Sequence, residues 1–431
     1  MDDDCPARVP QSRLRAAFAA ALSRMYGREV PAYTTLVDVT AEVNRDHARN
    51  HPRDAERLGS LERVTAERHG AIRVGSETEL AHVAAVFAGF GMYPVGYYDL
   101  RTASTPIPVV STAFRPTSPA ELARNPFRVF TSMLTTGDGR FFDADLARRV
   151  RRFVAARRLF PDELLALAHR ADREAGLPDA DSRRFVELAT AAFALSREPI
   201  DRGWYRELEA VSPVAADIAG VTSTHINHLT PRVLDIDELY RRMTDRGIAM
   251  IDRIQGPPRW AGPDVLLRQT SFRALAEPRA FRDADGTVSE GPVRVRFGEV
   301  EARGIALTPR GRARYDALAD SPAETWEHEF PSTERELDEQ GLAYFESVRD
   351  ADGAVRRVPI VYEDFLPASA AGIFRSNLDD PAAPRDDRDS PDTARDRYTA
   401  EHLAGAIDRP VHDPFTLYDQ QSRTRSERIT P

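Results

Sequence analysis

Two stretches of the chain place a histidine in the same pattern of neighbouring residues. His69 is followed four residues later by an arginine–valine pair and seven residues later by Ser76, a residue type that begins helices. His228 is followed at the same two spacings by an arginine–valine pair and by Asp235. Both capping residues precede apolar positions at helical spacing. The chain therefore contains one strand–helix unit twice, with a histidine near the start of each strand.

A carboxylate further along the chain completes a donor set that suits a metal ion. Residues 292–303 largely alternate between apolar and other types, which predicts a strand. On that strand Glu299 follows three apolar residues of the same parity, so its side chain points inward, where a lone carboxylate is costly to bury. Two histidines and one carboxylate from three strands form the facial triad typical of non-haem Fe(II) oxygenases. Zinc or manganese could use the same ligands.

Two nearby residues compete for these positions. His225 lies three residues before His228 and faces the opposite side of a strand, so at most one of them points inward. The register of the repeat selects His228 and leaves His225 with a hydrogen bond at the strand start. Glu301 shares the face of Glu299, but its place nearer the strand end favours a surface role. Core histidines that only form hydrogen bonds are the alternative to a metal site.

Arg73 is a candidate for binding a substrate anion. It lies four residues beyond His69 and on the same strand face, where a guanidinium beside a metal could hold a carboxylate with two hydrogen bonds. The alternative is an ion pair between Arg73 and a structural aspartate or glutamate. The spacing does not separate these two interpretations.

Composition restricts the class of protein. The chain has 431 residues, 42% of them hydrophobic, and no apolar run approaches the roughly 20 residues of a membrane span. A net charge of −9 argues against non-specific nucleic-acid binding, and all 59 lysine-plus-arginine residues are arginine. The single cysteine, Cys5, and the acidic N-terminus suit a reducing cytoplasm rather than secretion. We therefore expect a cytoplasmic protein with neither a membrane nor a nucleic-acid partner.

The order of predicted elements indicates an α+β protein with two related modules. The expected strand order is β-α-β-β in the first module and β-α-β-β-β in the second. The expected segments are an N-terminal helical segment at 1–66, the first module at 67–117, a helical insertion at 118–220, the second module at 221–308, a segment that completes the pocket at 309–378, and a loop or tail at 379–431.

Several longer strings resemble the 2-oxoadipate dioxygenase/decarboxylase family, also called hydroxyglutarate synthase, within the vicinal oxygen chelate superfamily. The resemblance spans roughly residues 12 to 378. Its main strings are Glu67 to Gly75, Pro94 to Leu100, His225 to Arg232, Leu267 to Phe272, Arg296 to Glu299 and Tyr362 to Phe374. It implies two βαβββ modules that form a shared metal-containing sheet or barrel.

The resemblance also implies a reaction and the residues that perform it. The family's metal ligands fall on His69, His228 and Glu299, with Fe(II) as the cofactor, and its substrate-binding arginine falls on Arg73. A substrate-contacting valine–serine pair falls on Ala368 and Ser369, so the valine is alanine here and the pocket is slightly larger. The implied substrates are 2-oxoadipate and O2, and the implied products are 2-hydroxyglutarate and CO2. Lysine catabolism is the implied pathway.

Two other functions are compatible with the same residues. The fold could support another divalent-metal enzyme that acts on a chelating substrate, such as an isomerase, a lyase or an extradiol-type dioxygenase. It could also be a non-catalytic binding module whose inward polar residues pair with one another. Oxygen consumption, carbon dioxide release and metal content separate these alternatives. The sequence does not determine the oligomeric state.

Overall fold

The computed structural model describes residues 8–52, 61–103, 106–274, 276–293, 296–349, 353–366 and 398–427. Its strands are β1 Arg8–Pro10, β2 Arg68–Val74, β3 Tyr93–Asp99, β4 Val109–Arg115, β5 Arg128–Leu134, β6 Gly176–Pro178, β7 Ile200–Asp201, β8 His228–Pro231, β9 Leu267–Phe272, β10 Glu277–Arg282, β11 Val288–Val293, β12 Gly298–Arg303, β13 Phe345–Arg349 and β14 Val355–Pro359.

The helices surround these strands and include long elements at both ends of the described chain. They are α1 Gln11–Glu29, α2 Pro31–Asn50, α3 Leu61–Ala66, α4 Glu77–Gly89, α5 Pro119–Arg124, α6 Ala144–Ala156, α7 Asp162–Arg173, α8 Asp179–Ala192, α9 Arg202–Glu209, α10 Pro213–Ala219, α11 Ile236–Asp245, α12 Pro309–Leu318, α13 Ala323–Glu329, α14 Glu334–Glu339, α15 Ala400–Ile407 and α16 Pro414–Glu427. Within the residues described, none of these helices combines the length and apolarity needed to cross a membrane.

A five-stranded sheet forms the centre of the molecule, in the order β3-β4-β5-β2-β8. Neighbouring strands are antiparallel except for β2 and β5, which run parallel. The antiparallel pair β9–β12 continues this arrangement beyond β8. A bridge joins Arg232 to Glu301, and the Val233 N–H donates to the Glu301 carbonyl at 2.8 Å. The predicted α+β class is confirmed.

Both faces of β2 are covered, so every residue of the strand is buried. Ile72 and Val74 point into a core formed with helices α1, α2, α4, α7, α8 and α11. Ala71 belongs to a second apolar cluster on the other face, with residues of α6, α9 and α10. Because side chains alternate along a strand, His69 and Arg73 lie on the same face as Ala71. The helical core thus supports the sheet from behind the candidate site.

The two predicted helix caps are confirmed. The side chain of Ser76 accepts a hydrogen bond from the Glu79 N–H at 3.2 Å, and that of Asp235 accepts from the Glu238 N–H at 3.0 Å. The Glu79 carboxylate in turn accepts a hydrogen bond from the Gly75 N–H, one residue before the cap. Each cap makes the chain leave its strand and enter a helix at the same place in both units.

The first unit contains a strand that the sequence did not predict. Residues 118–220 were expected to be helical, but Arg128–Leu134 forms β5 between β2 and β4. The prediction was wrong there because Arg128, Thr131 and Ser132 are polar and mask the strand pattern, although all three are buried. The observed element order of the first unit is therefore β-α-β-β-α-β, with the short helix α5 between β4 and β5.

The second unit is less regular than predicted. Residues 248–254 form no continuous strand in the described structure, because bridges from Met250 to Phe272 and from Gln255 to Gln269 place unequal lengths of chain opposite β9 and prevent a continuous ladder. The single strand expected at 292–303 is divided between β11 and β12. Further along the chain, helix α14 ends at Glu339 and is followed by β13.

Tyr26 on α1 connects the two segments that lead into β8 and β12. Its hydroxyl oxygen lies 2.9 Å from the carbonyl oxygen of Asn227 and 2.8 Å from that of Phe297.

Tyr26→Phe removes this donor from a buried site, so we expect the free energy of unfolding to fall by about 1–3 kcal/mol in urea denaturation. Tyr240→Phe is the control, since its half-buried hydroxyl donates only to the Ile251 carbonyl. Equal losses in the two variants would contradict a special role for Tyr26.

Candidate metal centre

His69, His228 and Glu299 converge in the interior of the protein. Each offers a ligand atom, and these atoms all lie within 4.8 Å of one another. The Glu299 Oε2 atom is 3.8 Å from His69 Nε2 and 3.2 Å from His228 Nδ1. The two imidazole rings are nearly perpendicular, at 87°, with centroids 5.4 Å apart. The arrangement surrounds one point with two nitrogen donors and one oxygen donor.

Strand pairing explains how residues so far apart in the chain meet. In the β2–β8 ladder, Ala71 lies opposite His228, and His69 lies opposite Thr230. Directly opposed residues point to the same face of a sheet, so both histidines project from one side. The bridge between the residue after β8 and β12 then brings Glu299 alongside them.

The start of β12 requires a glycine. A Cβ atom at Gly298 would lie 1.9 Å from Cε1 of Phe272, its partner on β9. No side chain fits at that distance, so glycine permits β12 to approach β9 closely at the residue before Glu299. The absence of a side chain at Gly298 therefore helps to determine the position of Glu299, the next residue on β12.

Burial sets the protonation properties of the three residues. His228 is 6% exposed and Glu299 is 3% exposed. Burial lowers the pKa of His228 well below its ordinary value, which leaves a neutral imidazole with a lone pair. Burial raises the pKa of Glu299, because a carboxylate there lacks hydration. A divalent cation would compensate that carboxylate and accept both nitrogen lone pairs, so the donor set fits a metal ion.

Each of the three residues also touches a polar neighbour. The Gln269 amide donates to Glu299 Oε1, which leaves Oε2 directed at the histidines. The Thr230 hydroxyl lies 3.0 Å from His228 Nδ1. His69 Nδ1 lies 3.0 Å from Oε2 of Glu301. Such neighbours fix the rotamers of metal-binding side chains before an ion enters.

The surface role predicted for Glu301 is wrong. Its side chain is fully buried and forms an ion pair with Arg303 on the same strand. Burial alone would raise the pKa of Glu301, but Arg303, His69 and Arg128 together lower it. The same interactions raise the pKa of His69: burial opposes its charge, but Glu301 and Glu299 outweigh burial. The position near a strand end misled the prediction because β12 ends inside the protein.

A buried network of charges lies behind the three residues, and sequence reasoning missed it. Glu67 accepts hydrogen bonds from Arg128 at 2.9 Å and from Arg232 at 3.0 Å. Burial opposes the ionised form of Glu67, yet these arginines, with Arg63 and Arg303, lower its pKa to about 2. One feature of the sequence could have indicated this network: Arg232 lies four residues after His228, on the strand that the repeat predicts to be buried.

Arg73 forms an ion pair with Asp217 of α10, which was one of its two predicted interpretations. Asp217 is held on its other side by Asn227, whose amide donates at 2.9 Å, and by His225 Nε2 at 3.2 Å. His225 therefore has the hydrogen-bonding environment predicted for it and stays outside the triad. Arg73 also contributes to lowering the pKa of His228, after burial and His69.

Ala368 and Ser369, the remaining predicted site residues, lie outside the residues that the structure describes.

Known proteins resemble this chain over nearly its whole length. The family model described as 2-oxoadipate dioxygenase/decarboxylase matches residues 18–377. The 2-oxoadipate dioxygenase/decarboxylase of Mycobacterium tuberculosis is 65% identical over 416 residues, covering 96% of this chain and 97% of that protein. The crystal structure of hydroxyglutarate synthase from Pseudomonas putida in complex with 2-oxoadipate matches with a TM-score of 0.82 at 37% identity and covers 98% of both chains.

A more distant structure has a related fold. A putative glyoxalase superfamily protein from Ralstonia eutropha matches with a TM-score of 0.51 at 21% identity, covering 70% of this chain and 88% of that one. This likeness concerns the fold alone.

The geometry predicts which histidines bind a metal. In His69→Ala and His228→Ala, we expect the metal content of protein reconstituted anaerobically with Fe(II) to fall from near one ion per chain to background, because two protein ligands hold a divalent ion poorly. His225→Ala is the matched control, since His225 is equally buried but lies outside the triad. Elemental analysis checks this, with circular dichroism to establish folding. Loss of metal in His225→Ala with retention in His228→Ala would reverse the assignment.

Proposed function

This chain belongs to the 2-oxoadipate dioxygenase/decarboxylase family, and from that premise we propose that it converts 2-oxoadipate and O2 into 2-hydroxyglutarate and CO2 with Fe(II) bound by His69, His228 and Glu299. The observation that carries the proposal is the convergence of those three buried side chains on one point. The substrate comes from the names of the relatives that match most of the chain.

The donor set supports iron as the metal. Two imidazoles and one carboxylate leave several coordination positions open, which suits a metal that must meet both a substrate and dioxygen. Bound Fe(II) would supply those positions and the redox chemistry of decarboxylation and hydroxylation. The protein's part is to hold the three ligands, keep His228 neutral and exclude bulk water from the buried site.

We further propose that Arg73 binds the distal carboxylate of the substrate. Arg73 projects from the same face of β2 as His69, four residues further along the strand. Asp217 engages Nη1 of the guanidinium and fixes its direction, while a guanidinium offers five N–H donors in all. Holding the far end of a six-carbon diacid would orient its oxo-acid end toward the metal. The pair Ala368 and Ser369 is proposed to contact the substrate on the strength of the family resemblance.

The fold supports a finer description of the architecture. We propose that β2-α4-β3-β4-β5 and β8-α11-β9-β12 are copies of one module that share a metal-containing sheet. The similar helix caps and the lateral contact between the two units support this. The remaining division of the chain, with an N-terminal helical segment and an insertion between the modules, is proposed on the same basis.

The overall reaction balances without a reductant, and this gives a direct test. We expect iron-reconstituted protein to consume one O2 for each CO2 released from 2-oxoadipate, with 2-hydroxyglutarate as the organic product. An oxygen electrode, trapped CO2 and mass spectrometry measure the three quantities. An isomerase would consume no oxygen, and an extradiol-type dioxygenase would consume it without releasing CO2. Either result would contradict the proposal.

The proposed role of Arg73 can be tested through the substrate. Arg73→Ala should lower kcat/KM for 2-oxoadipate by about 30-fold or more, because losing one partner of a buried charge pair costs about 2–5 kcal/mol. The iron content should remain near that of the wild-type protein.

A monocarboxylic analogue, 2-oxohexanoate, provides the matched control. It lacks the distal carboxylate, so wild-type and Arg73→Ala proteins should turn it over with similar kcat/KM. If the substitution slows both substrates by the same factor, Arg73 does not bind the distal carboxylate.

A further inference from the structure

Two carboxylates of β12 approach opposite edges of the same imidazole. Glu299 Oε2 lies 3.8 Å from His69 Nε2, whereas Glu301 Oε2 lies 3.0 Å from His69 Nδ1. Residues two apart on a strand share a face, so β12 directs both carboxylates toward the ring. Glu299 Oε2, the atom that approaches Nε2, also lies 3.2 Å from His228 Nδ1. Glu301 Oε2 therefore lies beside the ring nitrogen of His69 other than the one that approaches Glu299, at 3.0 Å, although the N–H direction at Nδ1 is not aligned with it.

Hydrogen bonds from Arg303 fix the position of the Glu301 carboxylate. Arg303 Nε donates to Glu301 Oε1 at 2.7 Å, and Arg303 Nη2 donates to Oε2 at 2.9 Å. The third nitrogen, Nη1, donates to the carbonyl oxygens of Tyr362 and Asp364, each at 3.0 Å. This two-point contact fixes the plane of the carboxylate as well as its position. Glu301 thus presents a fixed acceptor to His69.

A fixed carboxylate determines which nitrogen of a neutral histidine carries hydrogen. An ionised carboxylate only accepts hydrogen bonds, so the nitrogen that faces it must be the donor. At His69 that nitrogen is Nδ1, and the lone pair then lies on Nε2. The opposite tautomer would set two acceptors against each other at 3.0 Å in a buried site.

We propose that Glu301 is a positioning residue that fixes the Nδ1–H tautomer and ring orientation of His69, so that Nε2 is the metal ligand, with Arg303 as its support. The proposal rests on the proposed function, because it concerns how that metal is held. It gives a functional reason for the complete burial of Glu301, which is not one of the three proposed metal ligands. Neighbours of this kind typically change metal affinity by about 10–100-fold when removed.

A purely structural role for Glu301 is the competing explanation, and a second buried ion pair provides the comparison. Asp364 is 1% exposed and accepts from Arg115 Nε at 2.7 Å and Nη2 at 3.1 Å. The Asp364–Arg115 pair resembles the Glu301–Arg303 pair in burial and geometry. Asp364→Asn should therefore reproduce the loss of stability but not a loss of metal affinity.

The test measures the dissociation constant of Co(II), used alone as a probe, by visible absorption of folded protein. In Glu301→Gln we expect weakening of about 10–100-fold with an altered Co(II) spectrum, and in Asp364→Asn a change within about twofold. Arg303→Lys, which cannot form the two-point contact, should weaken Co(II) binding by a smaller factor. An unchanged constant in Glu301→Gln, or equal weakening in Asp364→Asn, overturns the proposal.

A second variant and an NMR measurement test the role of Glu301 independently of Glu301→Gln. If Glu301→Gln does not fold, Arg303→Lys carries the test, and unchanged Co(II) binding in that variant counts against Glu301. Nitrogen-15 NMR of the Zn(II)-loaded wild-type protein should show His69 protonated at Nδ1, and protonation at Nε2 would refute the assignment. Wild-type protein that binds Co(II) as expected but does not oxidise 2-oxoadipate with Fe(II) would refute the proposed function and leave the role of Glu301 standing. Wild-type protein that binds no metal refutes both.

Discussion

The position of β8 between β2 and β12 is the constraint on which the candidate site depends. β8 contains four residues, yet it pairs with β2 on one side, and the residue that follows it bridges to β12 on the other. His69, His228 and Glu299 come from these three neighbouring strands, so a shift of one residue in either contact would turn a ligand to the opposite face. Tyr26 and Gly298 act on the same arrangement, one through hydrogen bonds to both incoming segments and the other through close approach of β12 to β9.

The second requirement is electrostatic compensation. A centre built from buried carboxylates is stable only where positive charge lies nearby, and the protein supplies it with buried arginines at the ends of strands. Arg128 contacts Glu67 at 2.9 Å, and Arg303 contacts Glu301 at 2.7 Å, with all four side chains essentially removed from water. This network lets Glu301 remain a carboxylate beside His69. The interior is therefore polar around the three ligands, although helices and apolar clusters cover both faces of β2.

The division of charge also separates the two ends of the proposed substrate site. Near β12, carboxylates predominate around the candidate metal. Further along β2, Arg73 is paired with Asp217, which His225 and Asn227 hold in place. A 2-oxo diacid has two carboxylates of its own, and a metal at one end with a guanidinium at the other would match them.

The sequence by itself determined the repeated strand–helix unit, the α+β class and the three side chains that converge, because period-two and helical spacing are local properties that each segment carries. It did not determine β5, the irregular chain at 248–254 or the buried position of Glu301. Those depend on which strands lie side by side, and that is fixed by contacts between residues far apart in the chain. Arg128 and Arg303 read as surface residues in isolation, and only the folded protein, by placing Glu67 and Glu301 against them, makes their burial favourable.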